Sequence, residues 1–119
     1  MKAGRGAITI SENSESAILD GARELFSEFV RRNALKKSEI ISVTFTATKD
    51  ITKAFPSRAV REMGYTDTAL LDMEQKFVET DLKLCIRMLV FADTSRPLAP
   101  VYLRGARVLR RDLFKEDEK

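Results

Sequence analysis

The sequence predicts an α+β domain in which helices cover one face of a mixed β-sheet. One long segment has helical periodicity, and several shorter segments are rich in β-branched and other apolar residues. They follow each other in the order strand, long helix, strand, short helix and then mostly strands, which is typical of a two-layer α+β domain. Residues 1–114 are predicted to form this domain, because a chain of 119 residues is long enough for one core.

The first strand is predicted at residues 6–10, and the long helix follows it to about residue 32. Ser14 is the expected N-cap of the helix, because a hydroxyl at this position can accept a hydrogen bond from the first turn. The helix has one apolar stripe, made of Ile18, Ala22, Leu25, Phe26 and Phe29. Asn33 is expected to end the helix in a left-handed conformation.

The second half of the chain reads mainly as strands. Residues 40–48 are predicted to form a strand, and a short helix begins at residues 54–56 and ends at Gly64. Further strands are predicted at residues 68–73 and 82–92, and short strands at 101–103 and 106–108 follow a loop at 93–100. Residues 115–119 are expected to form a flexible charged tail.

The strand at residues 82–92 contains the most informative residue, Arg87. Leu84, Ile86, Met88 and Val90 line one face of this strand, and Cys85, Arg87, Leu89 and Phe91 line the other. Since both faces are otherwise apolar, we expect both to be covered and the Arg87 guanidinium to be partly buried. A buried guanidinium keeps its proton, so it needs either a protein carboxylate or an anionic ligand.

The composition limits the chemistry that this chain can perform. Histidine is absent, and Cys85 is the single cysteine, so an imidazole base, a zinc site and an internal disulfide are not expected. One reduced cysteine suits the cytoplasm, and neither a membrane-spanning segment nor a signal peptide is recognised. The net charge of +3 balances 21 basic against 18 acidic residues, which favours a small anionic ligand over a nucleic acid.

Several other polar residues are weak candidates when each is taken alone. Arg58 and Arg61 share a helix face, Arg5 precedes a glycine at the first strand, and Tyr102 and Arg110 lie near the C-terminus. Taken together these positions are stronger candidates, because each lies within one of five short motifs that occur in a fixed order. The motifs are Arg5-Gly6-Ala7, residues 54–61, Cys85-Ile86-Arg87, Val101-Tyr102-Leu103 and Val108-Leu109-Arg110.

This ordered set resembles the monofunctional chorismate mutases of the AroH class over nearly the whole chain. The resemblance implies a homotrimer of the pseudo-α/β-barrel kind, with active sites at subunit interfaces that convert chorismate to prephenate without a metal or other cofactor. It implies substrate contacts for Arg5, Arg61, Arg87 and Tyr102, pocket or rim positions for Phe55 and Arg58, and a closing segment at Leu109 and Arg110. The cation at Arg87 would stabilise charge that develops on the ether oxygen of the substrate.

The chain departs from the family pattern at its acidic residue. In the family, a glutamate twelve residues before the catalytic arginine accepts a hydrogen bond from the substrate's ring hydroxyl, and a cysteine lies three residues before that glutamate. An ungapped count back from Arg87 places Gln75 at the glutamate position and Asp72 at the cysteine position. Three interpretations follow: Asp72 supplies the displaced carboxylate beside the Gln75 amide, a shift by one residue brings Glu74 inward, or the carboxylate is lost.

Two other functions stay open at this point. A trimeric enamine/imine deaminase has a similar size and an interface arginine for a carboxylate. A homologue that binds chorismate or prephenate but is catalytically impaired would retain the arginines without turnover.

Overall fold

The computed structural model describes residues 1–118, with side chains for residues 1–114. The predicted flexible tail at 115–119 therefore lies outside the residues whose side chains are described. The strands are β1 (Lys2–Thr9), β2 (Ile40–Ala47), β3 (Ala69–Glu74), β4 (Cys85–Ala92) and β5 (Val101–Leu103). The α-helices are α1 (Glu15–Arg32) and α2 (Ser57–Glu62), and 3₁₀ turns occupy Lys37–Glu39 and Arg104–Glu118.

The five strands form one mixed sheet in the order β3-β2-β4-β1-β5. Strand β4 runs antiparallel to both of its neighbours, β1 and β2, while β5 is parallel to β1 and β3 is parallel to β2. This arrangement confirms the predicted mixed sheet. It also places the strand that carries Arg87 at the centre of the sheet, where two neighbours fix its register.

One face of the sheet packs against both helices. The β4 side chains of Ile86, Met88 and Val90 are buried, and they share one core with the apolar stripe of α1. Each member of that stripe has no exposed area, and Ala59 and Val60 of α2 join the same core. The prediction of helices on one face is therefore confirmed. Burial of this apolar area is the main force that holds the two layers together.

The opposite face of the sheet is covered only in part. Ala7, Cys85 and Tyr102 are buried there beneath the C-terminal turns, but the other end of β4 is not covered, so the expectation that both faces of β4 are buried holds only at the Cys85 end of the strand. Leu89 and Phe91 are each 36% exposed, and on β3 Leu71 and Met73 are 56% and 53% exposed. The register places these side chains together, because Thr44 on β2 lies opposite both Leu89 and Leu71. We call this surface, with the side chains of Leu71, Met73, Arg87, Leu89 and Phe91, the open face.

The long helix begins as predicted and ends differently. The Ser14 hydroxyl accepts a hydrogen bond from the Ala17 amide at 3.1 Å, which confirms the N-cap. Asn33 has a φ of −96°, and the left-handed conformation is taken by Ala34 instead, with a φ of 49°. The Asn33 side chain bonds the Ala99 amide and carbonyl, and thereby fixes the loop that leads into β5.

Strand β4 begins three residues later than predicted. Leu84 adopts a φ of 49°, which interrupts the extended backbone, and its amide donates to the Asp50 carboxylate at 3.0 Å. The residues before Cys85 therefore form a loop that is fixed to the end of β2. Residue 82 had been the expected start because the apolar run itself begins there.

The predicted strand at residues 106–108 is wrong, because these residues lie in helical turns. Arg104 turns the chain with a φ of 54°, and the Gly105 amide donates to the Thr9 hydroxyl at 2.9 Å. Parallel pairing with β1 thus stops at Leu103. Gly64 has a φ of 96° just after α2, which confirms it as the stop of that helix.

Strand β1 is longer than the sequence suggested, because pairing with β4 extends from Thr9 back to Lys2. No helix within residues 1–118 combines the length and the apolar character that crossing a lipid bilayer requires.

Candidate active site

Strand register brings Arg5, Arg87 and Tyr102 onto the open face. Ala7 of β1 lies opposite Arg87 of β4 and also opposite Tyr102 of β5. Paired residues point to the same side of a sheet, and Arg5 lies two positions before Ala7 on the same strand. Three residues that are far apart in the sequence thus meet on one surface.

These residues line an open cleft of about 770 Å³, together with Leu109 and Arg110 from the C-terminal turns. Thr44 and Thr46 of β2 contribute hydroxyl groups to the same cleft. We call it the Arg87 cleft. It contains three guanidinium groups and a tyrosine, so its polar chemistry suits a small ligand that carries negative charge.

The three guanidinium groups of the cleft differ in how they are held. Arg5 is exposed and forms no hydrogen bond or ion pair with the described side chains. Arg110 binds the Asp112 carboxylate at 3.1 Å, and that contact raises the pKa of Arg110. Its guanidinium also lies 5.9 Å from the centre of the Tyr102 ring, which is itself buried. Arg5 is therefore available to a ligand, whereas Arg110 is already engaged.

Arg87 is partly buried and is held by a carboxylate that the sequence analysis did not single out. Its Nη2 donates to both oxygens of Asp81, at 2.9 and 3.0 Å. The thiol of Cys85 lies nearby, and burial raises its pKa more than the Arg87 charge lowers it. The prediction that Arg87 is partly buried and needs an anion was correct, but only the path of the β3–β4 loop reveals that Asp81 supplies one.

The same carboxylate also binds Gln75. The Gln75 side-chain amide donates to Asp81, and its backbone amide donates to the Ala47 carbonyl at 2.9 Å, which continues the β2–β3 pairing. Gln75 and Asp81 line a smaller cavity of about 280 Å³ beside the Arg87 cleft. Glu74 lies opposite Ala47, on the face that carries Asp72, so the interpretation that turns Glu74 inward is wrong in this register.

Asp72 does not lie beside Arg87 within the chain. It pairs with Phe45 on the helix-facing side of β3, where it accepts hydrogen bonds from the Ser57 amide, at 3.0 Å, and from the Ser57 hydroxyl. Asp72 thus caps the N-terminus of α2, and Asp81 occupies the place beside Arg87 that the first interpretation gave to Asp72. A substrate contact for Asp72 stays a prediction.

Phe55 and Arg58 line a second cleft, of about 430 Å³, together with Asp72 and Glu74. We call it the Phe55 cleft. Phe55 is 70% exposed, whereas Arg58 binds Glu62 at 2.8 Å and Glu15 at 3.1 Å, contacts that raise its pKa.

Arg61 lines neither cleft, is exposed and has no ion-pair partner among residues 1–114. Apart from Arg61, and from Gln75 in the smaller cavity, the predicted site residues are thus divided between the Arg87 cleft and the Phe55 cleft.

Replacing Asp72 by alanine should lower the free energy of unfolding by about 1–2 kcal/mol, because the α2 N-terminus loses its capping carboxylate. Urea unfolding followed by circular dichroism measures this change. Asp67→Ala is the matched control, since Asp67 is an exposed acid in the loop before β3. An equal loss in both variants would contradict the capping role.

Comparisons with known proteins identify the family of this chain. Residues 1–113 match the family model for chorismate mutase type I. The chain is 38% identical over 113 residues to the AroH chorismate mutase of Thermus thermophilus, covering 92% of this chain and 93% of that protein. It is 33% identical over 113 residues to the AroH chorismate mutase of Bacillus subtilis, covering 92% and 89% of the two chains.

The fold is also that of a solved relative. A chorismate mutase from Clostridium thermocellum superposes with a TM-score of 0.87 at 40% identity, covering 89% of this chain and 97% of that one. These matches are to chorismate mutases and do not support the deaminase alternative. Since the family match extends over residues 1–113 and the fold agrees, the chain belongs to the chorismate mutase type I family.

Proposed function

We propose that this chain is a chorismate mutase that converts chorismate to prephenate by an intramolecular Claisen-type rearrangement. The observation that carries this proposal is the Arg87 guanidinium. A carboxylate holds it at the centre of the sheet, in a cleft that also contains Arg5 and Tyr102. The reaction belongs to aromatic amino acid biosynthesis, and the lone reduced cysteine suits a cytoplasmic enzyme.

This reaction fits a site without histidine. Chorismate is a dicarboxylate that rearranges within itself, so no nucleophile, proton transfer or metal is required. The enzyme must hold the enolpyruvyl side chain over the ring and stabilise negative charge on the ether oxygen as the carbon–oxygen bond breaks. Guanidinium groups at fixed positions perform both tasks, because they bind carboxylates and stay charged.

Each cleft residue has a role that follows from its surroundings. Arg87 is fixed by Asp81 and by two neighbouring strands, so it can meet the developing charge without reorganising. Arg5 has no side-chain partner among residues 1–114 and would bind the enolpyruvyl carboxylate with two donors. Tyr102 would donate its hydroxyl to the same carboxylate.

Leu109 and Arg110 line the cleft at a kink in the C-terminal 3₁₀ segment, where Arg110 leaves the helical conformation, and they would help to close it. This closure would keep water away from the developing charge, which strengthens its attraction to Arg87.

We propose that the active enzyme is a homotrimer whose sites lie between subunits. The open face exposes four large apolar side chains side by side in a single chain, and contiguous exposed apolar residues commonly mark an interaction surface. A neighbouring subunit that covers this face would bring its Phe55 cleft, with Arg58, and its exposed α2 residue Arg61 to the Arg87 cleft. The predicted site residues would then act together, with Arg58 and Arg61 attracting the dianion at the rim.

The first experiment is an assay of chorismate consumption by the purified wild-type protein. Loss of the ring-diene absorbance gives the rate, and chromatography identifies prephenate as the product. We expect turnover far above the spontaneous rate. Saturable binding of chorismate without turnover would instead identify a catalytically impaired homologue, and the absence of both would refute the proposed substrate.

A further inference from the structure

Asp81 connects Gln75, which lines the smaller cavity, to Arg87, which lines the Arg87 cleft. Its carboxylate accepts hydrogen bonds from the Gln75 side-chain amide and from Nη2 of Arg87. Asp81 is largely shielded, with 20% of its side chain exposed, and its oxygen Oδ1 also accepts from the Leu82 backbone amide at 2.8 Å. The carboxylate is therefore held in place by its own loop while it contacts both partners.

This contact determines which end of the Gln75 amide remains available. An ionised carboxylate can only accept hydrogen bonds, so Gln75 must present its NH₂ group to Asp81. The Gln75 carbonyl oxygen, Oε1, is then left without a partner. Within residues 1–114, Oε1 of Gln75 and Nε of Arg87 are the buried side-chain atoms for which no hydrogen bond is formed.

The two unpaired atoms complement each other, since Oε1 is an acceptor and Nε is a donor. Buried polar atoms in folded proteins nearly always have hydrogen-bond partners. The unpaired Oε1 and Nε belong to two side chains that bind the same carboxylate, and they indicate a ligand that donates a hydrogen bond to Oε1 and accepts one from Nε. Such a ligand carries a hydroxyl group next to an oxygen that accepts hydrogen bonds. The ring hydroxyl of chorismate and its adjacent ether oxygen have this pattern.

We propose that Asp81 is the positioning residue of this site and replaces the carboxylate that the chain lacks at position 75. Asp81 orients Gln75 so that Oε1 accepts the substrate's ring hydroxyl, and it holds Arg87 so that the remaining donors of the guanidinium face the ether oxygen. The negative charge next to Arg87 is thus retained on Asp81, and the Gln75 side chain lies between this charge and the substrate's ring hydroxyl. This inference rests on the proposed function.

A double-variant rescue tests the proposal. Asp81→Asn should lower kcat/KM for chorismate roughly 10- to 100-fold, the range expected when a group that orients reacting residues is removed. Adding Gln75→Glu should restore most of this loss. In the double variant the asparagine NH₂ can donate to the new glutamate and its carbonyl can accept from Arg87, so charge and contacts are both retained. Because the double variant also retains the contacts that a purely structural role needs, urea unfolding is measured beside the kinetics. A purely structural role predicts that stability and kcat/KM fall together in Asp81→Asn, whereas a positioning role predicts a fall in kcat/KM in a protein of near wild-type stability.

Glu79→Gln is the matched control, because it removes one negative charge from the same loop at an exposed position. It should keep wild-type kcat/KM. A loss in the control as large as that in Asp81→Asn would overturn the proposal, since the loop charge alone would then explain the effect. Wild-type turnover in Asp81→Asn, or a folded Asp81→Asn that Gln75→Glu does not rescue, would also overturn it.

A further variant keeps the test decisive if Asp81→Asn fails to fold. Gln75→Met has a similar shape and leaves the Asp81–Arg87 ion pair in place, but it removes both the acceptor Oε1 and the amide group that donates to Asp81. We expect a comparable loss in kcat/KM, and an unchanged value would overturn the proposal. The wild-type assay distinguishes the two proposals. Inactive wild-type protein overturns the proposed function. Active wild-type protein whose variants keep wild-type kcat/KM overturns only the role of Asp81.

Discussion

Replacing Arg87 by lysine should lower kcat about 10²- to 10³-fold, the effect of removing a donor that is aimed at charge developing in the transition state. The affinity for chorismate should change much less, because the ether oxygen carries little charge in the ground state. This difference is the signature of a group that acts on the transition state.

The geometry explains why lysine cannot substitute. One nitrogen of the guanidinium, Nη2, is occupied by Asp81, while Nε is buried without a partner among the described residues. A planar group with five N–H donors can hold Asp81 and the substrate in fixed directions at once. A lysine ammonium is a single flexible point charge, and Asp81 would draw it away from the ether oxygen.

Steady-state kinetics and calorimetric binding of chorismate to Arg87→Lys measure the two effects separately. Arg31→Lys is the control, because Arg31 pairs with Glu28 on the exposed end of α1, away from both clefts. It should leave kcat unchanged. A kcat near the wild-type value in Arg87→Lys would refute the assignment of Arg87 as the catalytic cation.

Much of this site could be predicted because its residues lie on regular elements. The apolar stripe of α1 and the alternation along β4 fix which side of each element faces the core, so the inward side of β4 was predictable. The same alternation placed Arg87 on the other side. The pairing of Ala7 with both Arg87 and Tyr102, however, depends on strand order, which propensities and local periodicity do not specify.

The partner of Arg87 could not be predicted, because it lies in a loop. Asp81 reaches Arg87 only because the loop is fixed at one end by the Gln75–Ala47 hydrogen bond and at the other by Asp50, which binds the Leu84 amide. Asp72 appeared a better candidate on spacing alone. Its strand position instead points it at Ser57, where the bare N-terminus of α2 needs an acceptor.

The second prediction with a large expected effect concerns the open face of the sheet. Phe91→Asp should prevent trimer formation and reduce turnover to the uncatalysed background. Phe91 lies on the open face, is 36% exposed and follows Leu89 on the same side of β4. If a neighbouring subunit covers this face, the new carboxylate would be buried without a partner, at a cost of several kcal/mol per subunit.

Loss of activity follows from loss of assembly, because a single chain keeps the Arg87 cleft apart from the Phe55 cleft. Light scattering coupled to size exclusion gives the mass of each variant, and the chorismate assay gives its turnover. Ser27→Asp is the control, since it adds the same charge to the exposed side of α1 and should leave a fully active trimer. A Phe91→Asp protein that is both trimeric and active would mean that the open face is not the subunit interface. The two clefts would then have to function within one chain, and the apolar residues on this face would need another explanation.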